Sequence, residues 1–386
     1  MLVKGICKIE NVPNISDVRL LLEILTTMGA LVRRLSPNTL EIDCTHVTDS
    51  VAPIDLVRRI RASYYLIGAQ LGRFGHACVA LPGGCNFGVR PIDQHIKGIE
   101  AMQADVRLVG GCVCATAPSG GLVGGRINLD VVSVGATMNI MIAGVLANGT
   151  TVIENAAKEP HIVDLANFLN AMGAKVTGAG TDVIKIRGVR QLGGGSYSII
   201  PDQIEAGTYM VAVAAAGGDV LVQNVIPKHM DCISAKLREM GVQVTEYDDA
   251  IRVTHTGRLR RANVKTMPYP GFPTDMQPQI SVALCLADGT SVVTEGVYDN
   301  RYKYIQELAR MGADIRTEGR VAVVCGTERL HGTEVVATDL RGGAALAVAG
   351  LAAEGMTTVQ GIGHIQRGYA DLAGDLRALG ARITEQ

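Results

Sequence analysis

A cysteine, an arginine and two glycines fall close together in LPGGCNFGVRPIDQH, residues 81–95. The Pro-Gly-Gly turn presents Cys85 on a loop, and Arg90 follows shortly after. A thiol near a guanidinium and the backbone N–H groups of Gly83 and Gly84 has a favoured thiolate, suited to acid, base or nucleophilic work. Arg90 is also a fork donor that fits phosphate or carboxylate. An inert cysteine on a solvated glycine loop has the same spacing, so the segment alone leaves both readings open.

Other segments carry compatible chemistry. In DVVSVGATMNIM (130–141) a strand is expected to reach a small-residue turn and then a helix start. Ser133, the Gly135 backbone and the helix N-terminus together make an anion site, or Ser133 and Thr137 simply cap. PDQIEAGT (201–208), FPTDMQPQ (272–279) and ATDLRGG (337–343) place Asp202 with Glu205, then Asp275, then Asp339 with Arg341, at equivalent strand-to-helix corners. N-capping explains one such aspartate. It does not explain Pro273 and Pro278 around Asp275, nor Arg341. Acids and arginines gathered at equivalent corners predict a charged cleft between two pseudo-symmetric lobes. Arg61, Arg301 and Arg367 stand at loop-like positions, and their convergence on that cleft would mean an anionic substrate. Glu159 opens a helix, where it also complements the dipole.

The elements that must position these residues repeat. LLEILTTMGALV (21–32), GIEAMQADVRLV (98–109), LANFLNAMGAKV (165–176), ISAKLREMGVQV (233–244), IQELARMGADI (305–315) and LAGDLRALGARI (372–383) share one pattern. Each is a helical period, a Gly at the C-cap position (Gln103 in the second copy), then a strand-like alternation. The copies recur every 68 to 74 residues. A second glycine marker, at Gly5, Gly75, Gly149, Gly218, Gly289 and Gly355, keeps the same phase. The unit is therefore about 70 residues of mixed strand and helix, present six times, three to a lobe. With a seam just past Gly193-Gly194-Gly195, lobe one is expected at 1–199 and lobe two at 200–386. By symmetry, roughly 30 to 40 residues of the first unit are expected upstream of Met1, which would stand in the last turn of a helix.

Composition narrows the function. Lys plus Arg is 36 and Asp plus Glu is 37, so the chain lacks the basic excess of a nucleic-acid binder. No membrane span or signal peptide is expected. With no Trp and four Phe, the core must be aliphatic. Nine cysteines without an export signal predict reduced thiols and a cytoplasmic protein, and no metal-ligand spacing is present.

Taken together, LPGGC…R, SVGAT (133–137), ENAAKEP (154–160), PD-I-E-GT, FPTDMQ (272–277), DNRY (299–302), TDLR (338–341) and RGY (367–369) resemble the enolpyruvyl transferases over essentially the whole chain. The match is to the branch whose acceptor is a UDP-sugar. The resemblance implies an inside-out α/β barrel of six units in two lobes. It implies transfer of enolpyruvyl from phosphoenolpyruvate to the 3′-hydroxyl of UDP-N-acetylglucosamine with release of phosphate, the first committed step of peptidoglycan precursor synthesis. Cys85 would be the loop acid, alkylated by fosfomycin, and Asp275 the base. Arg90, Arg341 and Arg367 would hold phosphoenolpyruvate. Arg61, Asp93, Ser133, Val134, Gly135 and Asp275 would bind the UDP-sugar, with Glu159, Asp202 and Arg301 lining the cleft. No cofactor and no metal are implied, and a monomer is expected.

Two departures from the family pattern stand out. A Lys-Asn pair near the family's N-terminus has no counterpart here. Val131 stands where the family often has a lysine. The second would weaken binding of the diphosphate; the first fits a non-catalytic UDP-sugar binder or a truncated inactive form as an alternative. A transferase acting on shikimate 3-phosphate is a further one, and the PGGC, SVGAT and FPTDMQ segments oppose it.

Overall fold

The computed structural model describes residues 1–48, 51–81 and 92–385. It is mixed α/β, and these residues divide into two compact units, one running to Ile200 and the other starting at Pro201. Each has its own aliphatic core.

In chain order the helices are α1 (Ser16–Thr27), the single turn α2 (Ile54–Val57), α3 (Tyr65–Phe74), α4 (Asp93–Glu100), α5 (Val134–Gly144) and α6 (Pro160–Ala171) in the first unit. The second holds α7 (Gln203–Ala216), α8 (Asp231–Glu239), α9 (Gln277–Cys285), α10 (Ile305–Arg310), α11 (Leu340–Ala352) and α12 (Leu372–Ala378). The repeated helices α1, α4, α6, α8, α10 and α12 bury one face. By contrast, α5, α7, α9 and α11 are apolar nearly all round, which requires burial on every side. Every residue of α9 is buried. In the second unit α7, α9 and α11 pack on one another, and in the first α3 packs on α5.

The C-cap marker is conformational. Gly29, Gly173, Gly241, Gly312 and Gly380 have φ between 92° and 101°, and Gln103 holds the same left-handed turn at 67°. Asn11, Asn155, Asn224 and Asn300 form a further left-handed set, φ 54° to 58°, because asparagine tolerates that region best after glycine.

The strands form several small sheets. In the first unit, Ile6–Glu10 lies between Gly195–Ser198 and Thr39–Asp43. Its pairing with Gly195–Ser198 is parallel, Cys7 opposite Gly195. Gly193–Gly195 therefore leads into a strand of the first unit, which ties the end of that unit to its beginning. A second sheet runs Arg126–Asn128, Thr150–Glu154, Val183–Arg187, Lys175–Thr177. Its equivalent in the other unit runs Val264–Lys265, Thr290–Thr294, Val321–Cys325, Asp314–Glu318.

Several expectations are corrected. Residues 1–4 form no helical turn, and the Met1 carbonyl accepts from Arg73 Nη1 at 2.7 Å. The strand expected at 130–132 is instead Arg126–Asn128, followed by a bend. Thiols are not all reduced: His76–Ala80 pairs with Cys112–Thr116 so that Cys78 lies directly opposite Cys114, and the two form a disulfide. Among the described residues, no helix is long and apolar enough to cross a membrane.

Candidate active site

The first two residues expected in the site, Cys85 and Arg90, lie outside the described residues. The others fall into two groups, one in each unit.

In the second unit the three corner acids have different jobs. Asp202 caps α7, accepting from Ile204 N at 2.7 Å and Glu205 N at 3.4 Å. Asp339 caps α11, accepting from Arg341 N at 3.0 Å and Gly342 N at 2.9 Å. Asp275 caps nothing. It sits in the turn Thr274–Met276, and its carboxylate bridges two guanidiniums. Arg301 Nη2 donates to Oδ1 at 2.8 Å, and Arg341 Nε donates to Oδ2 at 3.2 Å. Arg301 is 2% exposed and Arg341 12%, while Asp275 is 39% exposed. The pair of buried cations thus aims a partly open carboxylate outward.

The turn that carries Asp275 is itself braced. Glu295, 1% exposed, accepts from Thr274 Oγ1 at 3.1 Å and from the backbone N–H groups of Val297 and Tyr298 at 2.9 and 3.0 Å. Those contacts lock the loop that delivers Arg301.

Arg341 is the electrostatic centre of this group. Burial works against its charge, and Asp275, Tyr369 and Asp202 more than offset that, holding the guanidinium above its ordinary range. Its Nη1 is buried with no hydrogen-bond partner among the described residues. A buried donor left unmade is costly, and a hydrogen-bond acceptor reaching that atom would satisfy it. Nearby, burial first, then Asp202 and Asp375, push the Glu205 carboxyl up to about 7 against the opposing pull of Arg341. Arg367 ends the turn Ile362–Arg367, two residues before Tyr369.

In the first unit Ser133 caps α5, accepting from Ala136 N at 3.3 Å. Val134 and Gly135 form the first turn of that helix. Packing dictates the glycine: a Cβ there would lie 2.9 Å from His95 Nε2. His95 is 5% exposed. Burial and then Arg61 lower its pKa to about 4, against Asp93. It is therefore neutral at pH 7. Asn139 Nδ2 donates to Tyr64 O at 3.0 Å and lies 3.1 Å from His95 Nδ1. With Nδ1 as acceptor, the proton sits on Nε2, the nitrogen that faces Gly135. Tyr64 packs on His95 with ring centroids 5.5 Å apart, and Arg61 lies over the Tyr64 ring at 5.5 Å. Arg61, Tyr64 and His95 thus form a column ending beneath the helix N-terminus.

A second brace aligns the same turn. Gln94 Nε2 donates to Asp93 Oδ2 and Asp130 Oδ2, at 2.9 and 3.0 Å. Asp130 N donates back to Gln94 Oε1 at 2.9 Å, and Lys97 Nζ reaches Asp130 Oδ1 at 2.5 Å. Asp93 on α4 is thereby fixed relative to residues 130–135. Val131 is 59% exposed. Glu159 stands at the N-cap of α6.

Sequence reasoning missed His95, Tyr64, Glu295 and Tyr369. The sequence cue for two of them was present: His95 ends the IDQH run and Tyr369 ends RGY.

The second unit thus holds a carboxylate between two arginines and the first a capped helix N-terminus, on a mixed α/β fold. The family model for EPSP synthase (3-phosphoshikimate 1-carboxyvinyltransferase) matches residues 1–376, and the chain belongs to this carboxyvinyltransferase family. Two relatives are particularly similar. A UDP-N-acetylglucosamine 1-carboxyvinyltransferase of Clostridium botulinum is 55% identical over 383 residues, covering 99% of this chain and 91% of the relative. A protein of the same description from Caldanaerobacter subterraneus is 56% identical over 375 residues, covering 97% and 89%. Among solved structures, the enolpyruvyl transferase NikO from Streptomyces tendae superposes with a TM-score of 0.89 at 28% identity, covering 99% of this chain and 91% of that one. EPSP synthase from Acinetobacter baumannii shares the fold at 20% identity, with a TM-score of 0.76 and coverage of 100% and 92%.

Proposed function

We propose that this chain transfers the enolpyruvyl group of phosphoenolpyruvate to the 3′-hydroxyl of UDP-N-acetylglucosamine and releases phosphate. The observation that carries the reading is the Asp275–Arg341 arrangement, an outward carboxylate beside a buried guanidinium with one unpartnered edge. Relatives more than half identical over nearly the full chain are named for this reaction.

The chemistry follows in two steps. The sugar oxygen attacks C2 of phosphoenolpyruvate while its proton passes to a base and C3 gains a proton from an acid. The tetrahedral adduct then loses a C3 proton and phosphate, leaving the enol ether. Asp275 is the proposed base. Its Arg341 contact is longer than its Arg301 contact, so when the substrate anion takes Arg341 through Nη1, the Arg341 contact is the one that lengthens. An oxygen is then available to the hydroxyl proton. Arg341, Arg90 and Arg367 hold the phosphate and carboxylate, and the fork geometry of arginine suits both. Cys85 is the proposed acid at C3.

The first unit takes the nucleotide end. The N-terminus of α5 offers backbone N–H groups and dipole to the diphosphate, over a turn that Gly135 leaves open. Arg61 and Asp93 are assigned to the same ligand, and Glu159, Asp202 and Arg301 to its surroundings. The neutral His95 and the Gln94–Asp130 brace supply rigidity. We carry the reading to an inside-out α/β barrel with lobes at 1–199 and 200–386, in a cytoplasmic monomer.

The test is the mass of the nucleotide after incubation with both substrates. A UDP-sugar heavier by one enolpyruvyl group is expected. Unchanged nucleotide in the presence of folded protein refutes the proposal. Acceptance of shikimate 3-phosphate instead would move the chain to the other branch of the family.

A further inference from the structure

Tyr369 is used by none of the chemistry above, yet it is built into the site. It is 1% exposed, and its ring lies against Arg341, the guanidinium carbon 5.5 Å from the ring centroid. The hydroxyl is fixed by two other helices. Thr208 on α7 donates its hydroxyl proton to Ile204 O at 2.8 Å. A hydroxyl has one proton, so the 2.8 Å contact between Thr208 Oγ1 and the Tyr369 hydroxyl is donated by Tyr369. Gln279 Nε2 on α9 donates to the same Oγ1 at 3.1 Å and lies 3.4 Å from the tyrosine oxygen. The ring is thus anchored to α7 and α9 and turned toward an arginine on α11.

Arg341 needs such a surface. The contact from Nε to Asp275 at 3.2 Å fixes one nitrogen, and the Tyr369 side chain is the guanidinium's other hydrogen-bonding neighbour. An aromatic face fixes the plane. With the plane set, Nε meets Asp275 and Nη1 is presented to whatever anion enters.

We infer that Tyr369 is a positioning residue that sets the plane of the Arg341 guanidinium, so that one edge holds Asp275 while the other receives the phosphoenolpyruvate anion. This rests on the reading of Arg341 given under the proposed function. It assigns Tyr369 no contact with substrate; its effect runs through Arg341.

The experiment compares wild type, Tyr369→Phe, Tyr369→Leu, Arg341→Lys and the Tyr369→Leu/Arg341→Lys double variant by steady-state kinetics, varying each substrate. Tyr369→Leu is expected to lower kcat/KM for phosphoenolpyruvate about 10- to 100-fold while the KM for UDP-N-acetylglucosamine moves less than about twofold. Tyr369→Phe keeps the ring and is expected to stay within about threefold of wild type. In the Arg341→Lys background, Tyr369→Leu should cost less than about twofold, the non-additivity of a residue acting through another. The same loss in both backgrounds, or an equal loss for both substrates, overturns the inference.

Thr208→Val covers the case of an unfolded Tyr369→Leu, since it releases the hydroxyl and leaves ring and volume in place. With the ring kept, as in Tyr369→Phe, the KM for phosphoenolpyruvate is expected to stay within about threefold of wild type, and a loss as large as that of Tyr369→Leu counts against the inference. Should wild type turn over nothing, the functional reading fails separately. Calorimetric titration with phosphoenolpyruvate then decides: binding kept in Tyr369→Phe and lost in Tyr369→Leu supports the inference, and equal affinity across the three proteins refutes it.

Discussion

Removing the Asp275 carboxylate should weaken the second unit as well as stop the chemistry. In Asp275→Ala, Arg301 at 2% exposure and Arg341 at 12% both lose their carboxylate partner. Breaking a buried ion pair from one side costs roughly 3–5 kcal/mol, because the other charge stays buried. Asp275 is 39% exposed, so water reaches the site and the lower end of that range applies, about 3 kcal/mol. For a unit of this size each kcal/mol lowers Tm by about 2–4 °C. The expected fall is therefore about 6–12 °C by differential scanning calorimetry near neutral pH. Added salt should change it little, since buried pairs are poorly screened. Asp275→Asn keeps one oxygen for Arg301 but turns an amide N–H toward Arg341, so about half the loss is expected. Both variants should still bind UDP-N-acetylglucosamine, with turnover abolished. A Tm for Asp275→Ala within about 2 °C of wild type would refute the claim that this carboxylate neutralises two buried cations.

Three further outcomes are expected. Gly135→Ala puts a Cβ 2.9 Å from His95 Nε2, so calorimetric titration should show UDP-N-acetylglucosamine affinity about 10-fold weaker, with a stability loss of about 1–3 kcal/mol; unchanged affinity would remove this turn from the nucleotide site. His95 is held neutral with its pKa lowered to about 4. Its stabilising share is present above the unfolded value near 6.5 and lost as pH falls toward 4, up to about 3 kcal/mol. Urea titrations of wild type and His95→Gln should therefore converge on acidification, and parallel curves would contradict the burial argument. Glu205, pushed up to about 7, has the opposite sign. The native state holds its proton longer than the unfolded chain, so stability falls as pH rises from about 4.5 through 7. Glu205→Gln should raise stability by about 1–2 kcal/mol near pH 8 and leave it unchanged near pH 4, with equal Tm values near pH 8 as the contrary result.

The parts of the fold that depend on local conformation were legible in the sequence. The glycine that ends each repeated helix reads directly, because a left-handed C-cap favours glycine. Gln103 reads only by phase, and the left-handed asparagines were passed over because asparagine has many other uses. Asp275 stood out from Asp202 and Asp339 only through its flanking prolines and the family resemblance, and the structure gives the reason: the other two are caps. What stayed hidden depends on partners far along the chain. Tyr369 meets Thr208 across 161 residues and Asn139 meets His95 across 44, and no local pattern marks either contact. The Cys78–Cys114 bond was likewise hidden, since it depends on strand register and not on spacing.

The most direct test of the account is phosphate release on mixing the folded chain with phosphoenolpyruvate and UDP-N-acetylglucosamine. Release that requires both substrates and disappears in Asp275→Asn is the predicted result. No release from a chain that circular dichroism shows to be folded, or release that proceeds without the sugar nucleotide, would contradict the account.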